Sequence, residues 1–180
     1  GFRLPLIARW PGQIEAGSTC GELATSMDLL PTLARLAGTQ EPQDRTIDGR
    51  DLAALWRGEP GATSPHETFF YYWKDSLHAV RDERWKLHLR RGRDEEPVRE
   101  LYDLQTDLGE TTNVVDQHAD VVGRLLAHVE RAQADLGCEA SGIDGSGRRP
   151  CGRVTEAQTL TTYDPDHPYI IAMYDLTDAG

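Results

Sequence analysis

The sequence predicts an α+β fold: a four-stranded antiparallel sheet packed by a C-terminal helix, preceded by a strand and a helix. Three observations lead there. Between Glu67 and Leu104, four short aromatic or alternating runs are separated by polar, turn-forming stretches, the spacing of an antiparallel meander. Residues 118–136 carry apolar side chains at helical spacing, and an amphipathic helix of that length covers one face of a small sheet. The chain also opens at once on LPLIARW, an apolar run that reads as a buried strand whose neighbours must be supplied by something else.

The elements follow in order. Residues 4–10 read as the strand, and PGQIEAGS then supplies turn chemistry through Pro11-Gly12 and Gly17. SMDLLPTLARLAG (26–38) reads as a helix. Ser26 or Asp28 caps its free amides, and Pro31 falls in the first turn, where its missing N–H costs nothing. Leu29, Leu33 and Leu36 recur on one face, and Gly38 stops the helix. DGRDLAALWRGE reads as a short helical turn with Leu52, Leu55 and Trp56 inward and Gly58 at its end. The strands are expected at 67–73, 77–82, 85–91 and 100–104, with Trp85, Leu87 and Leu89 on one face and Lys86 and His88 on the other. In the helix of 118–136, Val121, Leu125, Ala132 and Leu136 lie near one stripe, with Val122 and Val129 beside it. After Gly137 the sequence turns loop-like, with a late strand around Tyr169–Tyr174. The expected division is 1–60, 61–136 and a loop-rich 137–180.

Composition limits the partners. A net charge of −11 argues against nucleic-acid backbones and anionic membranes, because like charges repel. No apolar run approaches the roughly 20 residues that span a bilayer. Cys138 and Cys151 bracket a Gly-rich stretch with little of its own to hold it. A disulfide closing that loop would contribute about 3 kcal/mol; the plain alternative is two separate thiols. Cys20 is then left over, free or paired with a cysteine upstream of Gly1.

The stretch ELYDLQTDLGETTNV places Asp103, Asp107 and Glu110 close together. A calcium loop needs oxygen ligands at alternate positions and a closing bidentate Glu, and that alternation is absent, with apolar Leu104 and Leu108 between the acids. A structural role suits them better. Tyr102 and Leu104 anchor the strand's inner face, Asp107 accepts from turn amides, Gly109 permits a positive φ, and Asn113 braces the backbone before the helix.

The same stretch resembles the LYDL…D…E…N signature near the C-terminus of sulfatases, the arylsulfatase branch of the alkaline-phosphatase superfamily. GFRLPLIARWPGQIEAG resembles that family's G-x-R-x-P-x-I-x-x-W-P-G strand and turn. SMDLLPTLARLAG resembles its D-L-x-P-T-L helix, IDGRDL its D-G-x-x-L segment, and HAVRDERWKLH its A-V-R-x-x-x-x-K strand pair. Each motif alone is weak, but together they recur in family order from Gly1 to about Leu136.

The resemblance implies hydrolysis of aryl or carbohydrate sulfate esters, with a formylglycine nucleophile beside a calcium ion in the full-length family. It implies that residues 1–60 end the catalytic α/β domain, that 61–136 form the C-terminal subdomain, and that an upstream catalytic domain is the partner. The formylglycine motif needs Arg four residues after Cys or Ser, and none of Cys20, Cys138 or Cys151 is so followed. The expectation is therefore that this chain carries no catalytic and no metal residue, binds neither cofactor, and is inactive alone. If any residue here touches substrate, it is expected at the YYWKDSLH hairpin, where Trp73 stacks on a ring and Lys74 and His78 meet a sulfate or a neighbouring acid. The plain alternative is that Trp73 packs on the sheet, Lys74 is solvated at a turn and His78 is a half-exposed strand residue. The family resemblance and the possible bridge suggest periplasmic or extracellular placement. Two other readings stay open: a phosphoester or phosphonate hydrolase fragment of the same superfamily, and a non-catalytic carbohydrate- or protein-binding module.

Overall fold

A computed structural model describes residues 4–91 and 96–149, together with 155–156, 161–162, 165–166 and 171–172. The chain forms two compact units, Gly1–Arg148 and Arg149–Gly180. In the second, β5 (Thr161–Thr162) pairs antiparallel with β6 (Ile171–Ala172). The expectation of a longer strand at 169–174 falls mostly outside the described residues.

In the first unit, β1 (Phe69–Trp73), β2 (Ser76–Arg81), β3 (Trp85–Arg91) and β4 (Glu96–Asp103) form a sheet in simple chain order, every pair antiparallel. Phe70 opposes Val80, Val80 opposes Leu87, and Leu87 opposes Leu101. Opposed residues share a face, so this row forms the floor on which α3 (Ala119–Leu136) rests. Val121, Val122, Leu125, Val129 and Ala132 of α3 are buried there with Leu77, Trp85 and Cys138. Leu136, expected on the stripe, is 40% exposed at the last turn of α3. Leu101, not Tyr102 or Leu104, faces α3; Tyr102 opposes Lys86 and so lies on the other face.

The N-terminal part departs further from expectation. Leu4–Trp10 makes no strand, and Leu4, Leu6 and Ile7 are 78%, 58% and 91% exposed. A strand exists only by hydrogen bonding to a neighbour, and no described segment is paired with this one. The helix at 26–38 is a 3-10 turn (Ser26–Asp28) running into α1 (Leu29–Leu36). Its cap is Thr25, in a capping box with Asp28, rather than Ser26 or Asp28 alone. Its buried face is Asp28, Pro31 and Thr32, and Leu33 is 54% exposed.

Asp28 explains that choice. Its fully buried carboxylate accepts from Thr25 N (2.7 Å) and Arg50 N (2.8 Å) and contacts His66 Nε2 (2.7 Å). Thr32 Oγ1 donates to Asp28 O (2.6 Å) and accepts from Leu52 N (2.9 Å). A polar knot thus ties α1 to the segment leading into α2 (Ala53–Arg57) and to the approach to β1. Gly49 passes so close that a Cβ there would lie 2.0 Å from Met27 O. Leu52 and Leu55 are buried and Trp56 half-buried, as expected, and Gly58 ends α2 with φ 63°.

Candidate functional site

The three residues expected at a substrate contact occupy two environments. Trp73 ends β1, and Lys74 and Asp75 form the two-residue connection to β2. Trp73 is 42% exposed and Lys74 is exposed, so this aromatic face and this ammonium stand together at a hairpin tip. Lys74 has φ 51°, a left-handed conformation that costs a non-glycine residue about 1 kcal/mol. His78 is elsewhere. Pairing moves from Tyr71–Ala79 to Tyr72–Leu77, which leaves His78 as the extra residue of a β-bulge. Its ring is half-buried, and Nε2 is buried without a hydrogen-bond partner among the described residues.

A second cluster occupies the sheet face turned away from α3. Glu110 reaches it from the loop after β4: Oε1 accepts from Lys86 Nζ (2.7 Å) and Oε2 lies 2.6 Å from His88 Nε2. Lys86 Nζ sits 4.7 Å from the Tyr71 ring centre, a cation–π contact. His88 also meets Tyr102 edge-on. Beside them Arg91 donates to Glu100 (2.6 Å), whose carboxylate accepts from Tyr102 Oη (3.1 Å). Burial holds the His88 imidazolium below its ordinary range, aided by neighbouring Lys86 and Arg91 and opposed by Glu110. For Glu110, burial raises the carboxyl, but the Lys86 and His88 hydrogen bonds outweigh it and hold it below the usual range. The alternation of WKLHL places Lys86 and His88 on this face; only the fold brings Glu110 across to them.

The neighbouring acids each have other work. Asp103 is bidentate with Arg84 (3.0 and 2.7 Å) and accepts from Gln105 N (3.1 Å), and the Arg84 contact lowers its carboxyl. Asp107 accepts from Thr112 N (2.7 Å), Thr111 N (2.8 Å) and Thr111 Oγ1 (3.0 Å), and the Thr112 N–H leads in lowering it. Asn113 Oδ1 accepts from Leu101 N and Val115 N, both at 3.0 Å. The corner is braced as the sequence suggests, with one change: the positive φ falls on Glu110 (55°), not Gly109. That conformation turns the Glu110 side chain back onto the sheet. The three carboxylates engage three different partner sets, and no group of three or more His, Cys, Asp and Glu among the described residues could hold a metal. They do not fit a calcium site.

Two further features were not legible in the sequence. His128, buried on α3, has Nδ1 2.7 Å from Arg131 Nη2 and Nε2 3.8 Å from Glu67 Oε1, beside a groove of about 250 Å³ floored by Phe70 and Ala132. Cys138 is buried, and its Sγ accepts from Leu77 N at 3.4 Å. Burial raises the Cys138 thiol, but hydrogen bonds from Ser141 and the Leu77 N–H together bring it below its usual value. Cys20 is exposed. Cys151 lies outside the described residues, and with it the expected Cys138–Cys151 pairing.

A four-stranded meander backed by one long helix, with a corner of acids after its last strand, defines a small α+β unit. A family model described as "N-sulphoglucosamine sulphohydrolase, C-terminal" matches residues 1–135, and the chain belongs to the sulfatase family, as a C-terminal portion. An arylsulfatase of Hemicentrotus pulcherrimus is 46% identical over 90 residues, covering 50% of this chain and 16% of that protein. Steryl-sulfatase of Homo sapiens is 48% identical over 81 residues, covering 45% and 14%. Arylsulfatase A of Bos taurus is 37% identical over 158 residues, covering 74% and 30%. The chain therefore spans less than a third of these relatives' length. Among solved structures, one determined in complex with its substrate D-glucosamine-2-N,6-O-disulfate superposes with a TM-score of 0.53 at 25% identity, covering 69% of this chain and 27% of that one. A sulfatase from a Pseudoalteromonas species shares the fold, with a TM-score of 0.60 at 19% identity over 71% of this chain and 29% of that one.

Proposed function

We propose that this chain is the C-terminal part of an enzyme that hydrolyses sulfate esters of small aromatic or carbohydrate substrates. In this reading it works beside an upstream catalytic segment of the same protein. The observation that carries it is the continuous family match over residues 1–135. In the full-length family a formylglycine and a calcium ion supply nucleophile and charge neutralisation. In this reading the chain's own residues bind and position, and the chain is inactive alone.

The contact belongs to the β1–β2 tip. The exposed Trp73 face suits stacking on a sugar or aryl ring. Lys74 places an ammonium beside it as a point charge for a sulfate oxygen. His78 Nε2 is a buried polar atom without a hydrogen-bond partner among the described residues, at the bulge of β2. One of the similar solved structures holds its substrate D-glucosamine-2-N,6-O-disulfate, which supports a sulfated-sugar reading. An exported enzyme, periplasmic or extracellular, fits the same picture. No described helix is long and apolar enough to cross a membrane. The test is turnover of a chromogenic aryl sulfate and a sulfated glucosamine by the longer protein and by residues 1–180 alone. Sulfate release by the longer protein only is the expected result. Release by residues 1–180 alone, or a preference for a phosphate ester, would overturn the reading.

A further inference from the structure

The segment after α3 reads in the sequence as a glycine-rich loop with little to hold it. The structure pins it at both ends. Toward the helix, Ser146 N donates to Ala134 O (3.0 Å) and Gly147 N to Asp135 O (2.8 Å), so the segment satisfies carbonyls left open at the α3 C-terminus. Gly145 lies so close that a Cβ there would meet Asp135 O, Gly137 N and the Leu136 carbonyl carbon, each at 2.3 Å. Toward the sheet, the same segment grips the β1–β2 tip. Glu139 N donates to Asp75 O (2.9 Å), Ala140 N to Ser76 Oγ (3.2 Å), and Leu77 N to Cys138 Sγ (3.4 Å). Tyr72 Oη donates to Gly137 O (3.0 Å), and Arg148 reaches Asp75 Oδ1 (3.4 Å).

From this double attachment we propose that Gly137–Arg148 is a positioning brace. It holds the β1–β2 tip in its left-handed turn at Lys74 and so presents Trp73 and Lys74 as a preformed contact for a sulfated ring. The family match ends at residue 135, so this brace sets ligand preference from outside the matched region. The ligand half of the proposal rests on the sulfate-ester reading above; the brace half does not. The physical reason is preorganisation. A two-residue connection with a non-glycine residue at φ 51° is strained by itself. A tip fixed before binding does not pay the ordering cost on contact.

Two variants in the longer protein test it. Gly145→Ala drives a Cβ into backbone and unseats the brace. Glu139→Pro removes the single N–H that holds Asp75 O, at the first position of a 3-10 turn, where proline is tolerated. Each is expected to speed amide exchange at Leu77 about tenfold or more while Leu125, in the core, is unchanged. Each is expected to raise KM for D-glucosamine-2-N,6-O-disulfate about fivefold, with kcat within twofold, and Trp73→Ala should add little to either. Unchanged exchange at Leu77 in Glu139→Pro overturns the brace. If Trp73→Ala raises KM and the brace variants do not, the brace proposal falls while the tip remains the contact. If exchange speeds but neither tip nor brace variants move KM, the tip is not the contact and the proposal falls with it. If the unaltered longer protein turns over no sulfate ester, the functional reading fails and the exchange measurement alone decides the brace.

Discussion

Replacing Asp28 by Asn tests the polar knot that joins α1 to the rest of the first unit. The change is nearly isosteric, so packing is preserved and only donors and acceptors differ. One carboxylate oxygen accepts from Thr25 N, and the other accepts from Arg50 N and contacts His66. In Asn one of these oxygens becomes an NH2 group. Either orientation sets that donor against a backbone N–H, of Thr25 or of Arg50, at under 3 Å. A hydrogen bond to a charged group contributes about 1.5–3 kcal/mol, and an unsatisfied buried donor costs about 1–3 kcal/mol. Asp28 is fully buried, so solvent does not rescue the lost partner. The expected loss is about 3 kcal/mol, or about 6–12 °C in Tm for a domain of this size. Thermal unfolding followed by circular dichroism reads it directly. A midpoint within 2 °C of the unaltered protein would refute the knot as a source of stability, since nothing else about the side chain has changed.

Other outcomes follow from the same contacts. Leu125→Ala empties a fully buried position between α3 and the sheet and should cost about 2–5 kcal/mol in denaturant unfolding. Glu110→Gln leaves Lys86 half-buried without its counter-charge; a loss of about 1–2 kcal/mol is expected, between exposed and buried ion pairs, and it should shrink in high salt. His88 is held below its ordinary 6.5, so the unfolded chain takes up its proton first as pH falls. Its contribution is present above about 6.5 and is lost as pH drops through the folded value. Glu110, lowered from 4.5, adds a second loss further down, as pH falls through its own folded value. His88→Gln should therefore flatten the upper part of the stability decline between pH 7 and 5, measured as urea midpoint against pH.

The sheet face bearing Lys86, His88 and Glu110 explains why the acids after β4 occur together. They are not one site. Asp103 holds Arg84 from the neighbouring β-turn, Asp107 closes its own turn, and Glu110 crosses to the sheet. Each compensates a different backbone group or cation.

Periodicity alone determined the four strands and the helix from 119 to 136, because alternation and helical spacing are properties of the chain itself. The start of β4 is the exception: it begins at Glu96 rather than Glu100, because pairing with β3 carries it into the charged stretch that reads as a loop. Ordered motifs alone pointed to the sulfatase family. Contacts distant in sequence were decided only by the tertiary structure. Asp28 meets Arg50 and His66, Glu110 meets Lys86 and His88, and Asp75 meets Glu139. The stretch Leu4–Trp10 shows the limit from the other side. Its pattern is that of a strand, but a strand is a relation between two segments, and a single segment's composition states a preference that only a partner can realise. The glycines after α3 likewise read as slack, yet three of them, Gly137, Gly145 and Gly147, are small because backbone or an acid side chain passes within 3 Å of where a Cβ would stand. Local pattern carries which elements form; close approach and side-chain pairing across the fold carry what those elements do.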